Sequence, residues 1–319
     1  MSTRIPVYLD CDTGVDDAVA LAYLLRSDAV DLVGIGTVSG NIDSAQAARN
    51  TLDLLELAGH PDIPVAIGAH DHVTHPYGGG AKHVHGENGI GGVELPRAAA
   101  EPDARDAVQL LIDLSHAHAG MLQVLTIGPV TNIAHALERD PSLPSRIAGV
   151  TAMGGAALAQ GNITPVAEAN IYNDPEAADV MLRADWDTVL VPLDITMQHT
   201  LHDGDRERLL ASNDPFVRAV GEILDHYLDF YVEEFGERLS PLHDPLAAMA
   251  VAGAAGIGRP LRVPVEIDTT QGPGRGQTVV DMRGQRRGPR DHAGVRTLVL
   301  FDGEESLAED LMATLLRGA

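Results

Sequence analysis

Six apolar runs constrain this chain more than any other feature. Residues 5–9, 30–38, 63–67, 121–127, 147–153 and 188–193 are rich in Val, Ile and Leu, and several show no polar alternation. A strand covered on one face alternates apolar with polar; a strand without alternation is covered on both faces, as in a parallel sheet sandwiched between helices. Helical spacing fills the intervals, at 17–26, 44–58, 104–118, 130–139 and 175–183. This β-α alternation predicts an α/β fold, an open Rossmann-like, mostly parallel sheet flanked by helices. After residue 193 the pattern changes. Helices are expected over 205–210, 215–235 and 245–255, then additional C-terminal strands over 263–269, 278–282 and 295–301 that pair antiparallel, then a last helix from 304. No repeat period and no low-complexity linker interrupts the chain, so a single domain spanning 1–319 is expected.

Composition removes several classes of function. The 319 residues carry 22 Lys plus Arg against 46 Asp plus Glu, a formal net charge of -24, and Lys82 is the only lysine. Neutralising phosphates takes clustered basic residues, so no nucleic-acid partner is expected. Apolar runs are broken by charge or glycine before they reach about 18 residues, so no membrane span is expected. Cys11 is alone, which rules out an intramolecular disulfide. The N-terminal segment passes into a strand too early for a signal peptide, giving the expectation of a cytoplasmic protein.

Chemistry concentrates where the first strand ends. Asp10, Asp12, Asp16 and Asp17 fall within eight residues, and Gly14 allows a tight turn between them. Asp10 and Asp12 stand at period two and share a side of the strand end. In an open α/β sheet, ligands bind beyond the carboxyl ends of the strands. Acids at a helix N-terminus are stabilising and would account for Asp16 and Asp17, but not for Asp10 and Asp12 at an apolar strand end. Four convergent carboxylates repel one another unless a cation neutralises them, and oxygen-only ligands favour a hard ion, Ca²⁺ or Mg²⁺. Two long loops, 70–92 with five histidines and 154–173 with Gly-Asn-Ile-Thr-Pro at its centre, have the length of functional lids or solvated connections. His72 is expected in solvent.

Two enzyme classes own such a segment. Leu-Asp-Cys-Asp-Thr resembles the nucleophile motif of haloacid-dehalogenase-type Mg²⁺ phosphatases, in which Asp10 would attack phosphorus; that chemistry needs a lysine, and Lys82 in a Gly/His loop is the sole candidate. The longer string Asp-Cys-Asp-Thr-Gly-Val-Asp-Asp-Ala resembles the N-terminal signature of the inosine–uridine-preferring nucleoside hydrolase family. Further matches follow in order: Asn41, His85-Gly86, Ile127-Gly128-Pro129-Val130-Thr131-Asn132, Met153-Gly154-Gly155, Gly161-Asn162-Ile163-Thr164-Pro165, Ala167-Glu168-Ala169-Asn170 and His243-Asp244-Pro245-Leu246-Ala247.

This resemblance implies Ca²⁺-dependent hydrolysis of the N-glycosidic bond of ribonucleosides, releasing ribose and free base. Asp12, Asp17, Asp244 and the backbone carbonyl of Ile127 would hold the cation, and Asp12 would take the proton of the attacking water. Asp10 would support them, and Asn41 would orient them beside the substrate. Asp16, Asn162, Glu168 and Asn170 resemble the ribose-binding set, with Met153 as an apolar wall. Carboxylates and amide oxygens around the sugar suit the oxocarbenium-like charge that develops there. His243 resembles the leaving-group histidine, able to act as catalytic acid because imidazole titrates near neutrality; His85 resembles a second base-site histidine.

Tyr227 and Tyr231, four apart, share one helix face, where base-tolerant members carry base-site tyrosines. The only tryptophan, Trp186, precedes a strand far from these loops, which disfavours a purine-only site. Both base classes, with a lean toward pyrimidines, are therefore expected. Family membership further implies nucleoside salvage and a homodimer or homotetramer. Thr13 and Ala169 depart from the family pattern, at positions where proline and an aromatic are common. The remaining alternative is a nucleoside- or ribose-binding protein without turnover.

Overall fold

The computed structural model describes residues 4–258 and 260–318; residues 1–3, 259 and 319 of the expected 1–319 domain lie outside them, including the first part of the segment weighed as a leader. Among the described residues, the early strands are β1 (Ile5–Cys11), β2 (Val30–Thr37), β3 (Val65–Ile67), β4 (Leu122–Thr126), β5 (Ile147–Met153) and β6 (Thr188–Val191). The later ones are β7 (Thr200–His202), β8 (Leu239–Pro241), β9 (Leu261–Arg262), β10 (Val265–Ile267), β11 (Thr278–Val280) and β12 (Thr297–Val299). Eight of them form one sheet in the order β3-β2-β1-β4-β5-β6-β12-β9. All neighbours pair parallel except β9, antiparallel to β12 at the edge.

The unalternating runs are buried on both sides, as their composition required: the last five residues of β1 and of β5 are fully buried. One face is covered by the helices Val15–Arg26, Ser44–Leu57, Pro215–Phe235, His243–Val251 and Leu307–Leu315. Ala107–Ala117, Thr131–Arg139 and Pro175–Arg183 cover the other. Side-chain caps start these helices where the sequence supplies an acid: Asp43 accepts from Gln46 N, Asp106 from Gln109 N, and Asp174 from Ala177 N ahead of Pro175. Along the sheet the chain runs outward from β1 to β3, then returns to β4 and proceeds the other way. The order therefore reverses between β1 and β4, the crevice where such sheets bind ligands. Asp10 pairs with Gly36 of β2 and Thr126 of β4, at the centre of that crevice.

One late expectation holds only in part. The strand expected at 295–301, β12, is antiparallel to β9 on one side and parallel to β6 on the other. The long, largely helical excursion between β6 and β12 returns the chain to the same end of the sheet, and that permits only parallel pairing. The antiparallel expectation holds for the β10–β11 ribbon and for β9 against β12. A further ribbon, β7 with β8, is too short to leave a period in the sequence. No helix of the described residues is long and apolar enough to cross a membrane.

Candidate active site

Two helix starts meet at the crevice. Asp16 and Asp17 occupy the first turn of Val15–Arg26, and Asp244 that of His243–Val251, so the positive ends of two helix dipoles face three carboxylates. Asp16, Asp17 and Asp244 are all buried, each with a carboxylate oxygen within 4.8 Å of the others'. Asp17 also closes the turn before its helix, accepting from Gly14 N at 2.8 Å and Asp12 N at 3.2 Å. The helix-start explanation thus holds for Asp17, and for Asp244 in its own helix, but it does not account for the convergence of both with Asp16.

Asp12 stands just behind this triad. Asn41 N donates to its Oδ2 at 2.6 Å, and Asn41 Nδ2 donates to Asp17 at 3.2 Å. Asp12 Oδ1, Asp16 Oδ1 and Asp10 Oδ2 are buried with no hydrogen-bond partner. Orphaned carboxylate oxygens in a dry site are what a hard cation satisfies. The resemblance implied Asp12 on the cation and Asp16 on the sugar; in the structure Asp16 belongs to the tight cluster and Asp12 is held by the Asn41 amide.

Burial, reinforced by neighbouring carboxylates, pushes the Asp12 and Asp244 carboxyls well up and Asp17 to about 7. Asp16 is also raised by burial, partly offset by His243. Asp10 is pushed up to about 7 by burial alone, against hydrogen bonds from Asn132 Nδ2 (2.8 Å) and Tyr8.

Gly40 has no room for a side chain, since a Cβ there would overlap Asp12 Oδ2 and approach Pro129 Cδ to 2.7 Å. Gly40→Ala is expected to displace Asp12, costing ~1–3 kcal/mol of stability by overpacking and about 100-fold in turnover by misplacement. Denaturation midpoints and kcat measured together check this.

Every site residue that the hydrolase resemblance implied lines one cleft except Asp10, Asp12 and Asp17, which are buried and do not line it. Sugar-side candidates approach from the 154–173 loop. Asn170 Nδ2 donates to the Ile127 carbonyl at 2.8 Å and lies 3.4 Å from Met153 Sδ. That carbonyl keeps a second lone pair for a cation. Glu168 spends both oxygens on backbone amides, those of Asn170, Gly155 and Ile171, and so caps the short helix Ala169–Asn173. Asn162 is exposed and braces the loop through Ala169 N.

The opposite wall is aromatic. Tyr227 donates to Asp16 Oδ2 at 3.1 Å, Tyr231 lies 3.1 Å from His243 Nε2, and the two tyrosine rings meet edge to face. His85 packs against Tyr227 and accepts from Val15 N at Nδ1, 3.1 Å away. Burial pushes His85 down to about 3 and His243 to about 4, so both rings are neutral near pH 7 in the absence of a cation.

Phe230 and Glu234 also line the cleft and went unassigned from sequence, although they fall three and seven residues after Tyr227 on the same helix face. His83 and Met197 carried no sequence signal. His72, expected in solvent, is buried, because the loop folds back so that Val73 N reaches Asp174 and His72 faces Thr131. Lys82 pairs with exposed Glu87 at 3.0 Å and does not line the cleft, so the phosphatase chemistry lacks its cation. A larger concavity, about 830 Å³ against about 150 Å³ for the cleft, runs along the β10–β11 ribbon. Of its two acids, Glu266 and Asp281, the second is paired with Arg283, and among the described residues no metal-holding group of acids or histidines lies there.

Comparison with known proteins agrees with this geometry. Residues 7–307 match the family model described as inosine–uridine preferring nucleoside hydrolase. The chain is 36% identical over 247 residues to uridine nucleosidase 1 of Arabidopsis thaliana, covering 76% of this chain and 72% of that one. It is 39% identical over 242 residues to the pyrimidine-specific ribonucleoside hydrolase RihA of Escherichia coli O9:H4, covering 76% and 77%. Among solved structures, a purine-preferring ribonucleoside hydrolase from Gardnerella vaginalis superposes with a TM-score of 0.90 at 30% identity over 98% of both chains.

Proposed function

The chain belongs to the inosine–uridine preferring nucleoside hydrolase family, and from that premise we propose Ca²⁺-dependent hydrolysis of ribonucleosides, tolerant of both base classes and leaning toward pyrimidines. That the chain is an N-glycosyl hydrolase follows from the family itself. One observation carries the rest: a buried carboxylate triad opens into a cleft whose far wall is histidine and tyrosine. The all-oxygen set favours Ca²⁺, which takes six to eight such ligands. When bound, the cation supplies positive charge that orients sugar hydroxyls and makes a nearby water easier to deprotonate.

Asp12 Oδ1, unpartnered and fixed through Oδ2 by Asn41, is the acceptor for that water's proton. Asp10, tied to Asn132, backs it. Asp16, Glu168, Asn162 and Asn170 surround the sugar, where carboxylate charge favours the oxocarbenium-like state, and Met153 walls it. His243, with His85, Tyr227 and Tyr231, faces the departing base and favours the negative charge it gathers. Trp186 is buried in the opposite core with its Nε1 on Met181 O and takes no part in the cleft, in keeping with a site not built for purines alone. Pyrimidine-specific RihA and the purine-preferring Gardnerella enzyme both resemble this chain, and tolerance fits between them. A single domain, and nucleoside salvage in the cytoplasm by a homodimer or homotetramer, belong to the same proposal and rest on the family.

Ribose and phosphate release from inosine, adenosine, uridine, cytidine and a phosphate monoester tests it, before and after chelation. Ribose release that chelation abolishes and Ca²⁺ restores is expected. 2'-Deoxyuridine is expected to react on the order of 10⁴-fold more slowly, because a site built for a hydroxyl is left unpaired without it. Phosphate release without ribose overturns the proposal.

A further inference from the structure

Both histidines of the cleft are held at Nδ1, by different means. For His85 the partner is Val15 N, a backbone amide that can only donate, so Nδ1 carries a lone pair and Nε2 carries the hydrogen. For His243 the partner is the Thr196 hydroxyl, 2.8 Å away. Thr196 ends the short helix Leu193–Thr196 after β6 and is fully buried, 0% exposed. Among the described residues, His243 Nδ1 is the only hydrogen-bond partner of that hydroxyl. Were the hydrogen on Nδ1, the buried Thr196 O–H would have no acceptor, a costly arrangement in a dry site.

Hydrogen-bond directions at the other side of the ring agree. Tyr227 donates to Asp16 Oδ2, so its hydrogen is not available to Tyr231. Tyr231, 3.1 Å from His243 Nε2, can then accept from the ring.

We propose that Thr196 is a positioning residue for the leaving-group histidine: its hydroxyl donates to His243 Nδ1 and fixes the tautomer that presents Nε2–H to the cleft. The inference rests on the base-side role given to His243 above. His85 and His243 both line the cleft, so the Nε2–H of His85 and that of His243, the latter resting on the Tyr231 hydroxyl, stand on the wall where negative charge gathers on the departing base. In the other tautomer, His243 would turn a lone pair toward that charge. The hydroxyl partner of His243 can be removed by a side-chain substitution of nearly the same shape.

Thr196→Val removes the hydroxyl at nearly constant shape, and Thr196→Ser returns it. With Ca²⁺-loaded, full-length protein, Thr196→Val is expected to lower kcat for uridine by roughly 10- to 100-fold with KM changed by less than about threefold. On 4-nitrophenyl β-ribofuranoside, whose nitrophenolate departs unaided, the same change is expected to cost less than about threefold, and Thr196→Ser to recover most of the uridine rate. Equal losses on both substrates, or full uridine turnover by Thr196→Val, would overturn the proposal.

A second readout does not depend on turnover. In protein labelled with ¹⁵N at histidine, and assigned with His243→Gln, Nδ1 of His243 is expected at the shift of an unprotonated ring nitrogen and Nε2 at that of a protonated one. Thr196→Val should blur that difference, whereas the reversed pattern in the parent protein contradicts the proposal. If the parent protein releases ribose from no nucleoside, the function proposed above fails, and the nitrogen shifts still decide the tautomer.

Discussion

Asp12→Asn is expected to lower ribose release from uridine by about 10³-fold at saturating Ca²⁺, within the range by which general bases contribute. The substitution keeps the size of the side chain and an oxygen for the Asn41 amide, but removes the proton acceptor. Asp12 Oδ1 has no partner in the protein, so no neighbouring group is placed to substitute for it. Asp10→Asn is the informative control. Asp10 lies one pleat deeper, its Oδ1 held by Asn132, and acts on the cleft only through its neighbours. Its loss is expected to cost about 10- to 100-fold, the usual range for residues that orient ligands. Steady-state kcat with both variants, alongside circular dichroism to verify folding, decides the matter. A greater loss at Asp10 than at Asp12 would remove Asp12 from the base role and return Asp10 to consideration as a nucleophile.

Stripping the cation is expected to make the fold pH-dependent in an unusual sense, with stability falling as pH rises from about 4 to about 7. Burial holds the Asp10 and Asp17 carboxyls up to about 7 and raises Asp12, Asp16 and Asp244 as well. In the unfolded chain the same groups titrate near 3.9. Between these limits the folded state holds protons that the unfolded state has released, so raising the pH favours unfolding, by up to ~1.4 kcal/mol per pH unit for each such carboxylate. Below about pH 4 this penalty is absent, and above about 7 it is complete for Asp10 and Asp17. A bound cation takes the place of those protons and should flatten the dependence. Urea midpoints of chelated and Ca²⁺-loaded protein from pH 4 to 8 measure it; parallel curves would mean that the cluster holds no cation. Asp244→Asn should raise the midpoint of the chelated protein at pH 7 and abolish the gain from Ca²⁺, because it removes both a repelling charge and a ligand.

Much of this architecture was legible from residues alone, for reasons that are local. A strand without alternation states that both of its faces are covered, and β1 and β5 are buried accordingly. The Asp10–Asp17 segment was legible as a place that could hold a cation, because four acids in eight residues repel one another and helix starts account for only two of them. Tyr227 and Tyr231 were legible through helical spacing, and the same spacing would have delivered Phe230 and Glu234. Glu168 was legible as a candidate that lines the cleft but not as a cap, since its three amide donors are set by how the 154–173 loop closes.

What the sequence determined by itself is the layered α/β class, the acidic strand end and the family, because each is written in spacing and residue type over short stretches. The tertiary structure decided that Asp244, more than two hundred residues from Asp17, completes a buried triad. It set β12 parallel to β6, closed the histidine loop over Thr131, and put an otherwise ordinary threonine against the ring of His243. The difference is physical: periodicity encodes which face of an element must be buried, whereas the side chain that buries it is chosen by the closure of long loops. A hydroxyl 47 residues from its histidine leaves no mark in the sequence, though on the proposal above its hydrogen bond sets the tautomer of the ring.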